Sequence, residues 1–225
     1  MGDSNRYRAG VDPGDTMGAV MILHDAASFF ASHRMLVSRL FGLAFFLLVL
    51  ITDSAHNGGA LEPTMFLAGL ALVGIATVGR LWCSLYISGY KDAELITTGP
   101  YSISRNPLYL FSLLGFAGIG LATETITLGV ALPMIAAIGY SAVVRREEAE
   151  LRARFGPAFD EYCAQTPRFF PDFGKFSEPD SYVVNPRLFR RTMFDVIWFV
   201  WFVGIIEVVE ALHDQRIFDP LVRLY

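Results

Sequence analysis

Two polar stretches in an otherwise apolar chain carry the residue types that can do chemistry. The first, residues 89–110, reads GYKDAELITTGPYSISRNPLYL. Gly99 and Pro100 force a turn, and Pro107 suits the first position of a helix, where its missing N–H costs nothing. Arg105 and Asn106 then stand at a helix N-terminus, whose free amides suit an anionic or carboxylate-bearing group. Tyr101 and Tyr109 bracket that position. Tyrosine and arginine also gather at membrane boundaries through solvation alone, so both readings stand at this point.

The second stretch, residues 143–173, reads VVRREEAELRARFGPAFDEYCAQTPRFFPDF. Val144, Glu148, Leu151 and Phe155 recur at spacings of four, three and four, which places them on one helical face. Glu148 therefore interrupts an apolar stripe. An inward carboxylate is a candidate partner for a cation, with Arg145 and Arg152 on its own helix as competing partners. Glu147, Glu150 and Arg154 share another face and read as solvated charges. Elsewhere, Arg80 sits near the end of an apolar run, where it must either snorkel to lipid phosphate or face an internal cavity.

The composition says what solvent these residues work in. Of 225 residues, 53% are hydrophobic and only 18% charged, with a mean hydropathy of +0.43. A small soluble domain leaves too much surface in water to hide that apolar content, so the bilayer is the fitting solvent. A net charge of -4 argues against a nucleic-acid partner. Two cysteines give no disulfide framework, and the four scattered histidines lack ligand spacing, so no metal site is expected.

The expected fold is an all-α integral membrane protein with about five transmembrane helices, over Met35–Thr52, Met65–Trp82, Leu108–Thr123, Thr125–Val144 and Met193–Val209. Only the neighbourhood of Thr123 and Glu124 separates the third and fourth spans, which predicts a tight helical hairpin. Lys and Arg fall before, between and after the spans as 4, 0, 3, 0, 9 and 2. Cytoplasmic loops accumulate such residues, so the N-terminus and both polar stretches belong on the cytosolic face of a multi-pass, bacterial inner-membrane protein. The expected organisation is an N-terminal tail and interfacial helix over 1–34, a core over 35–175, and a linker with an additional C-terminal helix over 176–225.

TTGPYSISRNPLY and RREEAELRARFGPAFDEYCAQTPRFFP, separated by a helical hairpin, together resemble the membrane-embedded isoprenylcysteine carboxyl methyltransferase and phospholipid methyltransferase superfamily. GRLWC, just upstream, resembles a stretch common in that family, and the likeness covers roughly Ile75 to Pro171. It implies a cytosolic segment that binds S-adenosylmethionine beneath a lipid-accessible cavity. Carried over by position, Tyr101, Arg105, Asn106, Pro107, Tyr109, Glu147 and Glu148 become the cofactor-binding residues. Asn106 stands where the family usually has histidine; an amide exchanges hydrogen bonds but takes up no proton near neutral pH.

Methyl transfer from a sulfonium needs chiefly an aligned nucleophile in a water-poor pocket. Arg80 and Arg168 are the candidate catalytic residues, each able to orient a carboxylate acceptor in a bidentate contact. Arg168 could equally meet phospholipid headgroups. An amine or thiol acceptor needs a base that the residues do not identify. The implied activity is methyl transfer to a lipid or small apolar acceptor, with the bilayer as partner and no metal. Two other readings share the helical core: an NADPH-dependent reductase of sterol-reductase type, and a non-catalytic scaffold or lipid-binding protein.

Overall fold

The computed structural model describes residues 34–54, 59–88, 94–215, 217 and 220–224. Residues 1–33 of the expected tail and interfacial helix, with His24, His33, His56 and Lys91, lie outside them. The chain divides into two units, Met1–Leu47 and Leu48–Tyr225. Helix α1, Arg34–Ile51, begins in the first and ends in the second.

The regular structure among the described residues is helical apart from two three-residue strands. Strand β1, Thr52–Ser54, follows α1; then come α2 (Leu61–Ile87), α3 (Pro100–Ile103), α4 (Pro107–Ala122), α5 (Ile126–Phe155) and α6 (Pro157–Gln165). A 3-10 turn at Phe173–Lys175 leads to α7 (Pro186–Val196), α8 (Trp198–Asp214) and β2 (Val222–Leu224). Among the described residues three helical stretches are long and apolar enough to cross a membrane: α2, α5, and Pro186–His213, which joins α7 and α8. Helix α4 is apolar but shorter.

The expected hairpin is present. Helices α4 and α5 are joined by Thr123–Thr125, with Glu124 in the left-handed region at φ 55°. The Thr123 hydroxyl bonds the Gly120 carbonyl at 2.7 Å and the Thr125 hydroxyl at 2.8 Å, satisfying polar groups that a lipid-bounded turn cannot leave open. Helix α2 packs on α4 through Gly69 and Gly118: a Cβ on Gly69 would stand 2.6 Å from the Gly118 carbonyl oxygen. In lipid, close backbone approach of this kind replaces the hydrophobic effect as the source of helix association.

Helix α5 differs from expectation in its length. The apolar span and the charged RREEAELRARF segment form one 30-residue helix, despite Pro133 within it. At 1.5 Å per residue it extends about 45 Å, longer than a hydrocarbon core of about 30 Å, so its C-terminal turns carry Glu147 and Glu148 beyond the apolar layer.

The connections sort to two ends. At one, β1 pairs in parallel with β2, the Leu221 N–H donates to the Ile51 carbonyl at 2.8 Å, and the Ser54 hydroxyl donates to the Glu124 carbonyl at 3.2 Å. At the other end of α2 and α4 lie α3, the turn before α4, and a strap over residues 166–185. The strap is tied down by backbone bonds from Arg105 to Pro167 (2.8 Å), Asp172 to Ile103 (2.9 Å) and Gly99 to Ser177 (2.7 Å).

This arrangement predicts topology. Reporter fusions after Glu124 and after Tyr225 should report one side of the membrane, and a fusion at Lys175 the other. A Tyr225 fusion on the Lys175 side would contradict the pairing of β1 with β2.

Candidate functional site

The site is built where the first polar stretch meets the extension of α5 and the strap. Gly99 has φ 61°, a conformation that side chains resist, and a Cβ there would collide with the Tyr86 ring. Pro100 opens the short α3, and Ser104 leaves it in extended conformation. The Ser104 hydroxyl donates to the Phe169 carbonyl at 3.1 Å and accepts the Asn106 N–H at 3.3 Å. Pro107, fully buried, starts α4 as expected. Asn106 is the residue before that helix, but its side chain does not cap it. Its amide turns instead to Glu148 Oε1, at 3.1 Å, and to the Arg168 carbonyl, at 3.2 Å.

Glu148 is the centre of the cluster. Its side chain is only 16% exposed, on the face it shares with fully buried Val144. Arg168 grips it with both arms of the guanidinium: Nη2 lies 2.9 Å from Oε2, and Nε donates to Oε1 at 3.2 Å. Arg105, also 16% exposed, brings its Nε to 3.9 Å from Oε1, beyond hydrogen-bond reach, and among the described residues that buried nitrogen has no hydrogen-bond partner. Two guanidinium groups on one carboxylate leave the cluster with a surplus positive charge. Neither partner weighed on Glu148's own helix is used. Arg145 bonds Ser141 at 3.3 Å, and Arg152 pairs with Asp160 at 2.7 Å.

The other expected site residues distribute around this cluster. The Tyr101 carbonyl accepts the Tyr162 hydroxyl at 2.7 Å. Burial pushes the Tyr101 hydroxyl well above the ordinary tyrosine value, with smaller contributions from Cys83, Tyr162 and Glu147, so it stays neutral. Glu147, expected as a solvated charge, is half-buried and forms no ion pair or hydrogen bond among the described residues. Glu150 is the exposed one, paired with Arg146 at 2.8 Å. Tyr109 sets its ring edge-on to Tyr140, centroids 4.9 Å apart. Arg80 makes its contacts elsewhere, donating to Ser112 Oγ and lying 5.5 Å from the Phe199 ring centroid. It does not snorkel outward.

Tyr162 was not among the expected site residues, although it occupies the tyrosine of the family-like motif. It lines an open cavity of about 830 Å³ together with Leu95, Ser102, Glu161, Lys175 and Ser177. Burial raises its hydroxyl above the ordinary value, Arg105 pulls it down, and Cys163 and Glu148 push it up. Tyr162 thus joins the cavity to the electrostatics of the Glu148 cluster.

A family model described as phospholipid methyltransferase matches residues 63–158. That stretch takes in α2, the Arg-Asn-Pro turn, the hairpin and the glutamate pair. The chain belongs to the phospholipid methyltransferase superfamily. Two curated relatives extend the likeness beyond the match. Nickel-cobalt-cadmium resistance protein NccN of Alcaligenes xylosoxydans xylosoxydans is 40% identical over 184 residues, 81% of this chain and 85% of its own length. Cobalt-zinc-cadmium resistance protein CzcN of Cupriavidus metallidurans is 36% identical over 197 residues, 88% of this chain and 91% of its own. No solved structure matches. Arg168 lies past the end of the family match, so the strap supplies this superfamily member with the fork on Glu148.

The tyrosine bond gives a test with a defined sign. A hydroxyl raised on folding contributes stability below the unfolded value of about 10 and loses it as pH rises through the folded value. Tyr162→Phe should cost about 1 kcal/mol at neutral pH through loss of the bond to Tyr101. It should also lose less stability than wild type above about pH 10. Thermal unfolding at both pH values checks this, and equal alkaline losses in the two proteins would contradict it.

Proposed function

We propose that this protein transfers a methyl group from S-adenosylmethionine to a lipid or small apolar acceptor at the cytosolic face of the membrane. The observation that carries the reading is the cluster itself: one largely buried carboxylate, Glu148, flanked by two guanidinium groups, of which Arg105 keeps a buried nitrogen unpartnered. A donor bearing both a carboxylate and cationic groups fits such a set of both signs. Family membership supports the same reaction class.

When bound, S-adenosylmethionine supplies a methyl group already activated by its sulfonium charge. The chain's residues then have to bind, align and exclude water. Arg105 and Arg168 are suited to the carboxylate, Glu148 to positive charge, and the Asn106 amide to a hydrogen bond across the helix entrance. Pro107 fixes the start of α4, Tyr101 and Tyr109 line the approach, and Glu147 adds a second negative charge nearby. Asn106 moves no proton, because an amide does not titrate in this range. The names of the two relatives suggest the setting, resistance to nickel, cobalt, zinc or cadmium ions, which the transfer would serve through the modified acceptor.

Calorimetric titration of the purified protein with S-adenosylmethionine, its demethylated product and NADPH tests the reading. Binding of the first two and not of NADPH is expected. Glu148→Gln and Tyr109→Ala should weaken that binding about tenfold or more, as for loss of a charged hydrogen bond or a packed ring. Asn106→His should retain affinity, Asn106→Ala should lose it, and Glu147→Gln, which breaks no bond, should matter less. Failure of the wild type to bind S-adenosylmethionine would overturn the proposal.

A further inference from the structure

Helices α7 and α8 lie past the end of the family match and supply no residue to the Glu148 cluster. Their sequence carries two stripes at helical spacing. Phe189, Thr192, Val196 and Phe199, at steps of three and four, form one, and all are buried or half-buried. This stripe packs on α2 and α4: Val196 is fully buried, the Phe199 ring stands edge-on to Phe116 with centroids 5.9 Å apart, and a Cβ on Gly115 would collide with it. Arg187, Arg190, Arg191, Phe194 and Trp198 form the other stripe, on the opposite side, and all are exposed. The inner face is taken; the outer face is turned away from the bundle.

The outer stripe changes character along its length. It begins with three arginines, and among the described residues none of their guanidinium groups has an ion pair or hydrogen bond. The exposed carboxylate of Asp195, on the same helix, pairs with none of them. Phe194 and Trp198 follow one and two turns beyond Arg191, about 5 and 10 Å further along the axis. The segment Pro186–His213 is long and apolar enough to span, so the stripe passes from the membrane surface into the apolar layer. Basic residues at the end of a span orient a chain without choosing a lipid. Three unpaired guanidinium groups on one face go further, because their forked donors match phosphate oxygens, and the rings below them suit the apolar body of the same molecule. A partner that meets both parts of the stripe carries a negative headgroup on an apolar tail.

We propose that the outer face of α7 binds an anionic phospholipid of the cytosolic leaflet as a resident lipid. Arg187, Arg190 and Arg191 hold its phosphate, and its glycerol and upper acyl chains lie against Phe194 and Trp198. This lipid is not the methyl acceptor, since the face that carries it points away from α2 and α4, and its binding does not rest on the methyl-transfer reading. It pins the start of α7, where the Asn185 N–H joins the strap to the Ser88 carbonyl at the end of α2, at 3.3 Å.

The test reads fluorescence of Trp198 in the full chain, reconstituted in phosphatidylcholine vesicles that contain either brominated phosphatidylglycerol or brominated phosphatidylcholine as quencher. Of the three tryptophans, Trp82→Phe and Trp201→Phe remove the other two, and Trp198 lies within three turns of every arginine on the stripe. Phosphatidylglycerol should occupy the site at least about fivefold more strongly than phosphatidylcholine. Replacing Arg187, Arg190 and Arg191 together by Gln should bring that preference below about twofold, whereas replacing all three by Lys, which keeps charge without the fork, should retain part of it. If the triple Gln variant does not fold, Arg190→Gln and Arg191→Gln made singly decide, each lowering the preference about twofold or more. Equal quenching by the two lipids, or a preference unchanged by the triple Gln variant or by both single variants, would overturn the proposal. Affinity for S-adenosylmethionine should stay within about twofold across these variants. Its parallel loss would mean that the arginines support the fold rather than a lipid, and would overturn the proposal as well.

Discussion

A carboxylate held 16% exposed at the end of a membrane helix is the constraint around which this molecule is organised. Removing a charge from water costs several kcal/mol unless partners restore its interactions, and Glu148 obtains those partners from segments distant in the chain. Arg168 comes from the strap, Asn106 and Arg105 from the turn before α4. The backbone repeats the same junction, since Arg105 donates to Pro167 and Asp172 to Ile103. Fixing Glu148 therefore fixes three segments against one another, and the cluster they enclose keeps a net positive charge.

The helices below are arranged so that this junction can exist. Helix α5 passes unbroken from the hairpin to Phe155, so Glu148 is carried on the same rigid rod that packs in the apolar layer. The contact of Gly69 with Gly118 holds α2 against α4. It thereby sets where Arg80 and Ser112 meet, and where Pro107 presents Asn106. Small residues in the membrane and charged residues at its boundary thus serve one geometry.

Much of this was legible in the sequence, and the rest was not for physical reasons. The spacing of Val144, Glu148, Leu151 and Phe155 showed which glutamate turns inward, because a helix of known period leaves no freedom in phase. Pro107 marked the start of α4, and the short break at Thr123 and Glu124 marked the hairpin. The partner of Glu148 was hidden: spacing along one helix suggests Arg145 or Arg152, whereas the actual partners arrive through tertiary folding, which local periodicity does not encode. Glu147 shows the same gap, half-buried where a solvated face was expected. For Arg80, both snorkelling and an inward orientation suited the sequence, and only the packed position of Ser112 and Phe199 separates them.

The central claim, that the Glu148 cluster is the methyl-donor site, is tested most directly by an experimental structure of the protein with S-adenosylhomocysteine. The expected result is the ligand against Arg105 and Asn106, with the Arg105 Nε engaged and the Arg168 fork on Glu148 opened or shared. A ligand bound elsewhere, with the fork closed and the Arg105 nitrogen still unpartnered, would contradict it.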